Sequence, residues 1–128
     1  MLKEAENVSE IILVIEDNEA LREAVTYMLH ECGYRVATVT NGQEAITYLA
    51  DHDLPCAILL DLEMPVMNGW DFRKWQQHDA HFATIPVIIM SGARDNQHTY
   101  ELLKPEAYIE KPIDFDSLLN ALQTKTNC

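Results

Sequence analysis

Five short runs of aliphatic and β-branched residues, separated by longer amphipathic segments, constrain this chain more than any other feature. Ile11-Ile-Leu-Val-Ile15 is apolar without interruption, the pattern of a parallel strand buried on both faces. Residues 18–31 follow, where Leu21, Ala24, Val25, Met28 and Leu29 recur at helical spacing and Gly33 is placed to stop the helix. Residues 34–39 and 56–60 predict a second and a third strand, with a helix over 43–50 after the Asn41-Gly42 turn and another over 71–77. Pro86–Met90 predicts a fourth strand, its proline tolerated at the first position. A more polar helix over 94–103 and a short strand over 107–110 follow. Phe115, Leu118, Leu119 and Leu122 then stripe a last helix, with Asp114 as its cap. Such alternation predicts an α/β fold: a five-stranded parallel sheet, doubly wound as (βα)5, with helices on both faces.

At 128 residues and 14.6 kDa the chain has the size of one domain, and the pattern leaves no stretch for a second. Residues 10–124 carry it, between a flexible segment at 1–9 and a tail at 125–128. Acidic residues outnumber basic ones 21 to 9, for a formal net charge of −12 and a pI near 4.6. That balance repels phosphate backbones and anionic lipid, so direct nucleic-acid or membrane binding is not expected, and cations or basic partners are favoured. The opening MLKEAENVSE has no apolar run and reads as neither secretion signal nor transit peptide. The longest apolar runs fall far below the ~20 residues that span a bilayer. Cys32, Cys56 and Cys128 are odd in number and lack CxxC spacing, which predicts neither a disulfide framework nor a zinc site. The expected location is the reducing cytoplasm.

In doubly wound sheets, ligands bind beyond the carboxyl ends of the strands where the strand order reverses. Those ends carry Glu16-Asp17, Asp61, Ser91 and Lys111. One Asp in such a place is usually a helix cap; complementary groups on most of the strand ends make a site. Carboxylates about 4 Å apart repel by roughly 1 kcal/mol in water and roughly 4 at the effective dielectric of a protein surface. Three together therefore require a cation or take up protons. A few hard oxygen ligands with room for water suit Mg²⁺ better than a Ca²⁺ cage or zinc. A hydroxyl and an ammonium beside an Asp and Mg²⁺ are the groups needed for phosphoryl transfer onto that Asp.

Glu16-Asp17, Asp61-Leu-Glu-Met-Pro-Val-Met-Asn-Gly69, Ser91-Gly92-Ala93 and Tyr108-Ile-Glu-Lys111-Pro112 together resemble the receiver domain of two-component response regulators, in its stand-alone, chemotaxis-regulator-like form, over residues 10–124. The resemblance implies a flavodoxin-like receiver fold and a phosphoprotein signalling role rather than an enzyme with turnover. It makes Asp61 the acceptor of a phosphoryl group from a histidine kinase or histidine phosphotransfer protein, in a Mg²⁺-dependent phosphorelay step that yields an aspartyl phosphate. It assigns Asp17 to the metal directly, Glu16 often through water, and Asp61 and the Glu63 carbonyl as further ligands. Ser91 and Lys111 would each hold a phosphoryl oxygen, and Tyr108 would change rotamer as Ser91 turns. Output would pass to a downstream protein effector, from a monomer or a weak phosphorylation-dependent dimer.

The sequence departs from the family pattern in three places. The acidic pair is Glu-Asp rather than Asp-Asp. Ser91 stands where Thr is usual and lacks the methyl that stiffens the rotamer. The interval from Ser91 to Lys111 is short, and Pro105-Glu106-Ala107 replaces the usual Gly-Ala turn, which puts the fourth helix in question. A Mg²⁺-dependent phosphohydrolase would share the Asp, Lys and Ser, but needs a second Asp where Glu63 stands and a cap for which there is no room. A flavin carrier needs Ser, Thr and Gly amides where Glu16-Asp17-Asn18 stand. A receiver-like scaffold that is never phosphorylated is the third alternative, and the full set of phosphorylation residues argues against it. Pro65 and Gly69 read as turn formers, Met64 and Met67 as loop packing, and Trp70, Phe72 and Trp75 as packing of the third helix. His78 and His81 lack a companion ligand, and His30, His52 and His98 read as surface residues. Glu63 and Ala93 flank the acceptor and are expected to govern water access.

Overall fold

The computed structural model describes residues 8–92 and 96–128. Ala93, the expected start of the fourth helix at Arg94, and most of the 1–9 segment lie outside these residues. The elements are β1 (Ile11–Ile15), α1 (Glu19–Glu31), β2 (Arg35–Val39), α2 (Gly42–Asp51), β3 (Ala57–Asp61), α3 (Gly69–Gln77), β4 (Val87–Ser91), α4 (Asn96–Leu103), β5 (Ala107–Glu110) and α5 (Phe115–Lys125). All strands pair in parallel, in the order β2-β1-β3-β4-β5. The order reverses between β1 and β3. The ends of those two strands therefore border the crevice in which such sheets bind ligands.

Side-chain alternation along the central strands divides the core into two layers. Leu13, Ile15, Ile58, Leu60, Val87 and Ile89 face a cluster completed by Ala45, Leu49, Phe72 and Leu103, from α2, α3 and α4. Ile12, Val14, Leu59, Ile88 and Met90 face Val25 and Leu29 of α1 and Leu118, Ala121 and Leu122 of α5. Both faces are covered, which is why these strands read as uninterrupted apolar runs. Phe72 is fully buried, and Trp70 and Trp75 pack partly buried against the same cluster, as expected of the third helix.

Three helices begin at the carboxyl edge of the sheet under asparagine caps. The side chains of Asn18, Asn41 and Asn68 accept from the amides of Leu21, Glu44 and Asp71 at 2.9, 2.9 and 2.8 Å. Each such cap contributes about 1 kcal/mol. Gly33 follows α1 with φ +91°, so it ends the helix as expected. Asp114 occupies the cap position of α5, but its side chain makes no capping bond; its Oδ2 accepts from the Ser117 hydroxyl at 2.7 Å instead.

Two expectations change. Cys56 and Cys128 form a disulfide across 72 positions of sequence, leaving Cys32 as an exposed free thiol. The odd count and absent CxxC spacing hid a pair that only the folded chain brings together. The fourth helix also forms despite the short interval. Lys104 ends it at φ +48°, and buried Pro105 leads into β5. Its end is gripped from α3: Arg73, 7% exposed, donates from Nε to Leu103 O at 2.8 Å, from Nη2 to Lys104 O at 2.9 Å and from Nη1 to Gln76 Oε1 at 2.7 Å.

Candidate functional site

Each strand bordering the crevice delivers its acid as its apolar run ends. Glu16 follows β1 and is fully buried, Asp17 beside it is exposed, and Asp61 closes β3 at 3% exposure. One oxygen from each of the three carboxylates lies within 4.8 Å of the others, the only such grouping of His, Cys, Asp and Glu among the described residues. His78 and His81 make no such group: the His78 ring bonds Lys74 O and the His81 ring packs on Phe82.

Lys111 arrives from the far side of the sheet. Its amide donates to Ser91 O at 2.9 Å, which fixes the chain as it leaves β5. Its Nζ then lies 3.1 Å from both Asp61 Oδ1 and Glu16 Oε1. The Glu63 amide also donates to Asp61 Oδ1, at 3.4 Å, while Asn18 N donates to Glu16 Oε2 at 3.1 Å. Arg22, which the sequence reading did not single out, reaches back from α1 and donates from Nη1 to Glu16 O at 3.0 Å. That bond steadies the turn that aims Glu16 and Asp17. Its only sequence signal is a basic residue one helical turn into α1.

Burial and the charge of Glu16 push the Asp61 carboxyl up to about 7, against the weaker opposing pull of Lys111 and the Glu63 amide. Desolvation works to lower the Lys111 ammonium, but Asp61 and Glu16 outweigh it and hold the group above its ordinary value. One ammonium does not neutralise three carboxylates. A convergent all-oxygen set with surplus negative charge fits a hard divalent cation.

Ser91 is fully buried at the end of β4, one position beyond Met90, the register partner of Asp61. Tyr108 is half-buried and pairs in register with Ile89, two residues before Ser91. Side chains two apart on a strand share a face, so Ile89 and Ser91 point toward the layer in which Tyr108 packs.

The loop from Asp61 to α3 is tied down along its length. A Cβ on Gly69 would lie 2.3 Å from Asp61 O, so glycine here permits close backbone approach rather than an unusual turn. Gly69 N donates to Leu62 O, and Gly42 N to Met67 O, both at 2.9 Å. Met64 is buried and Met67 packs partly buried against the core, as expected of loop packing. Val66 is the strained member. Met67 N donates to Pro65 O at 2.8 Å across Val66, whose φ is +70°. This is the rare γ-turn of positive φ, with a β-branched residue at its centre. Val66 is 83% exposed and gains little from packing. Val66→Gly is therefore expected to stabilise the protein by about 1 kcal/mol, strain relief outweighing the entropy of glycine. Thermal unfolding checks this; an unchanged or lower midpoint would refute it.

A doubly wound parallel sheet with buried carboxylates at its switch point and a lysine reaching them from the last strand has the architecture of a receiver domain. The profile of the response regulator receiver domain matches residues 12–123, and the chain belongs to that family of two-component signalling proteins. Response regulator Rre1 of Synechocystis sp. is 31% identical over 111 residues, which cover 84% of this chain and 47% of Rre1. The polar-differentiation response regulator DivK of Brucella anthropi is 27% identical over 115 residues, 88% of this chain and 93% of DivK. Among solved structures, the receiver domain of a signal transduction histidine kinase from Syntrophus aciditrophicus is 29% identical with a TM-score of 0.80, covering 90% of this chain and 88% of its own. The receiver domain of sensor histidine kinase PA1611 from Pseudomonas aeruginosa, solved with magnesium coordinated in its active-site cleft, shares the fold at a TM-score of 0.81 and 24% identity, covering 91% of this chain and 97% of its own. Among the described residues, no helix is long and apolar enough to cross a membrane.

Proposed function

We propose that the unit at residues 10–124 is a phosphorylation switch in which Asp61 takes a phosphoryl group from a phosphohistidine on a kinase or phosphotransfer protein. The observation carrying this reading is buried Asp61 within 4.8 Å of Glu16 and Asp17, with Lys111 Nζ at 3.1 Å. Glu16, Asp17 and Asp61, with the Glu63 carbonyl, would hold Mg²⁺, which when bound supplies the positive charge that offsets the acids and the incoming phosphoryl oxygens. An ionised Asp61 oxygen attacks phosphorus, the phosphorus–nitrogen bond to the donor imidazole breaks, and that imidazole leaves with the bonding pair and takes a proton. Lys111 moves from pairing with Asp61 to pairing with a phosphoryl oxygen, and the Ser91 hydroxyl turns to donate to another. Positioning and charge neutralisation carry most of the rate in such loose transfers.

The product adds about one negative charge beside Ser91 and Lys111. Their inward pull, with Tyr108 on the same layer, biases a surface read by a downstream protein. Turnover is confined to this chain's own phosphoryl group, and exposed Glu63 affects how water reaches it. The reading is of a cytoplasmic protein, a monomer or weak phosphorylation-dependent dimer, that binds neither nucleic acid nor membrane directly.

The test is incubation with acetyl phosphate or a phosphohistidine protein, with and without Mg²⁺. The peptide bearing Asp61 should gain one phosphoryl mass that hydroxylamine removes, and chelation should prevent the gain. Equal labelling under chelation, or a label on another peptide, would overturn the reading.

A further inference from the structure

At the end of the sheet opposite Asp61, Cys56 precedes β3 and is 4% exposed, while partly buried Cys128 follows α5; their Cα atoms are 5.4 Å apart and the sulfurs are bonded. A cavity of about 430 Å³ opens beside them, bordered by Glu10, Tyr34 and Arg35 as well as by both cysteines. That volume accommodates a small peptide-sized thiol. Both cysteines line this cavity, and Cys128 is the less buried of the two, so a thiol entering it meets the bridge from the Cys128 side.

We propose that Cys56–Cys128 is a reversible thiol–disulfide exchange site, a covalent clasp that fastens the end of α5 to the sheet under oxidising conditions and releases it to a dithiol. Exchange begins at Cys128, the less buried of the two cysteines. A reductant thiolate attacks Cys128 Sγ, the Cys56–Cys128 bond breaks, and Cys56 leaves as a thiolate that takes a proton. The reductant's second thiolate attacks its own sulfur in the mixed disulfide and releases Cys128. Two electrons pass to the protein, and the dithiol becomes a disulfide. A disulfide-bearing oxidant of the same class reverses each step.

The clasp acts on α5 because no long linker separates them. Thr126 Oγ1 donates to Leu122 O at 2.6 Å and Cys128 N donates to Thr126 Oγ1 at 3.2 Å, so the chain turns directly from the helix to the bridge. At the other anchor, Cys56 N donates to Ile11 O at 2.9 Å, so the bridge is rooted where β1 and β3 begin pairing. Reduction removes the covalent tie and leaves the end of α5 held by non-covalent contacts, among them the burial of Ala121 and Leu122. The length of β3, roughly 16 Å, separates the clasp from Asp61, so this input is independent of the phosphorylation reading.

The test uses the full chain equilibrated in mixtures of reduced and oxidised dithiothreitol, quenched in acid, alkylated and mapped by peptide mass. Cys56 and Cys128 should pass together from protected to labelled as a two-electron couple, with Cys32 labelled throughout. Amide exchange over residues 122–128 should quicken at least tenfold on reduction. In Cys128→Ser, a near-isosteric change, it should be fast in either buffer. Cys56 and Cys128 labelled in every mixture, protection that survives excess native dithiol, or exchange unaltered by reduction would each overturn the proposal.

Discussion

Asp61→Asn is expected to make the metal-free protein more stable near neutral pH while abolishing phosphoryl acceptance. In the folded chain burial and Glu16 hold Asp61 up to about 7, against an ordinary value of 3.8, so the folded state binds its proton more tightly than the unfolded state does. Below about pH 4 both states are protonated and Asp61 costs nothing. As pH rises from there to about 7, the unfolded chain releases the proton first, and stability of the metal-free wild type falls by on the order of 2–4 kcal/mol. Asparagine keeps the shape and removes that charge, so the variant should lack this part of the pH slope. Saturating Mg²⁺ should restore wild-type stability at neutral pH and do much less for the variant. Labelling by a phosphohistidine donor should drop by at least about a thousandfold, since the amide is no nucleophile. Urea unfolding at pH 5 and pH 7.5, with and without Mg²⁺, checks the first effect, and phosphoryl labelling the second. A variant less stable than wild type in metal-free buffer at pH 7.5 would refute the charge account, and normal labelling would refute the acceptor role.

The residues that matter there were legible in the sequence because β-strand chemistry is local. An uninterrupted apolar run announces a strand buried on both faces, and the first charged residue after it marks where that strand leaves the core. Glu16 and Asp61 are such residues, and Lys111 comes directly after Glu110 at the end of β5, so knowing the order of runs was enough to bring them to one edge. Boundaries differed by a residue or two: Asp61 and Ser91 close β3 and β4 instead of following them. The Cys56–Cys128 bridge stayed hidden because its partners are 72 positions apart. Val66 stayed hidden because a positive φ in a β-branched residue runs against its own preference, and only the ties at Met67 and Gly69 impose it. Arg22 and Arg73 were not singled out, since nothing in a sequence shows which arginine folds back onto backbone carbonyls.

Arg73→Met is expected to be strongly destabilising, at about 3 kcal/mol. Burial holds the guanidinium below its ordinary pKa, with Glu106 opposing, yet the group stays charged because its ordinary value is so high. Its three bonds go to different ends of one junction: Leu103 O and Lys104 O at the close of α4, and Gln76 Oε1 on α3. Gln76 in turn donates from Nε2 to Phe82 O and Ile85 O at 2.8 and 3.2 Å, so the network spans the chain from α3 to β4 and across to β5. Methionine matches the aliphatic stem but leaves Lys104 O and Gln76 Oε1 without their charged donor, whereas Leu103 O keeps the Gln77 Nε2 bond at 3.0 Å. Hydrogen bonds to charged groups contribute roughly 1.5–3 kcal/mol each, and relief of the buried charge offsets part of losing them. The midpoint of thermal unfolding should fall by roughly 10 °C. Arg73→Lys should recover little, because one ammonium cannot span carbonyls that a planar fork reaches in fixed directions. Amide exchange should quicken first at Lys104 and Glu106, whose amides donate to Tyr100 O and Val87 O at 2.9 and 2.8 Å, before the rest of the sheet responds. If Arg73→Lys matched wild type, or if exchange rose uniformly over the molecule, the guanidinium would not be what holds α4 to the start of β5.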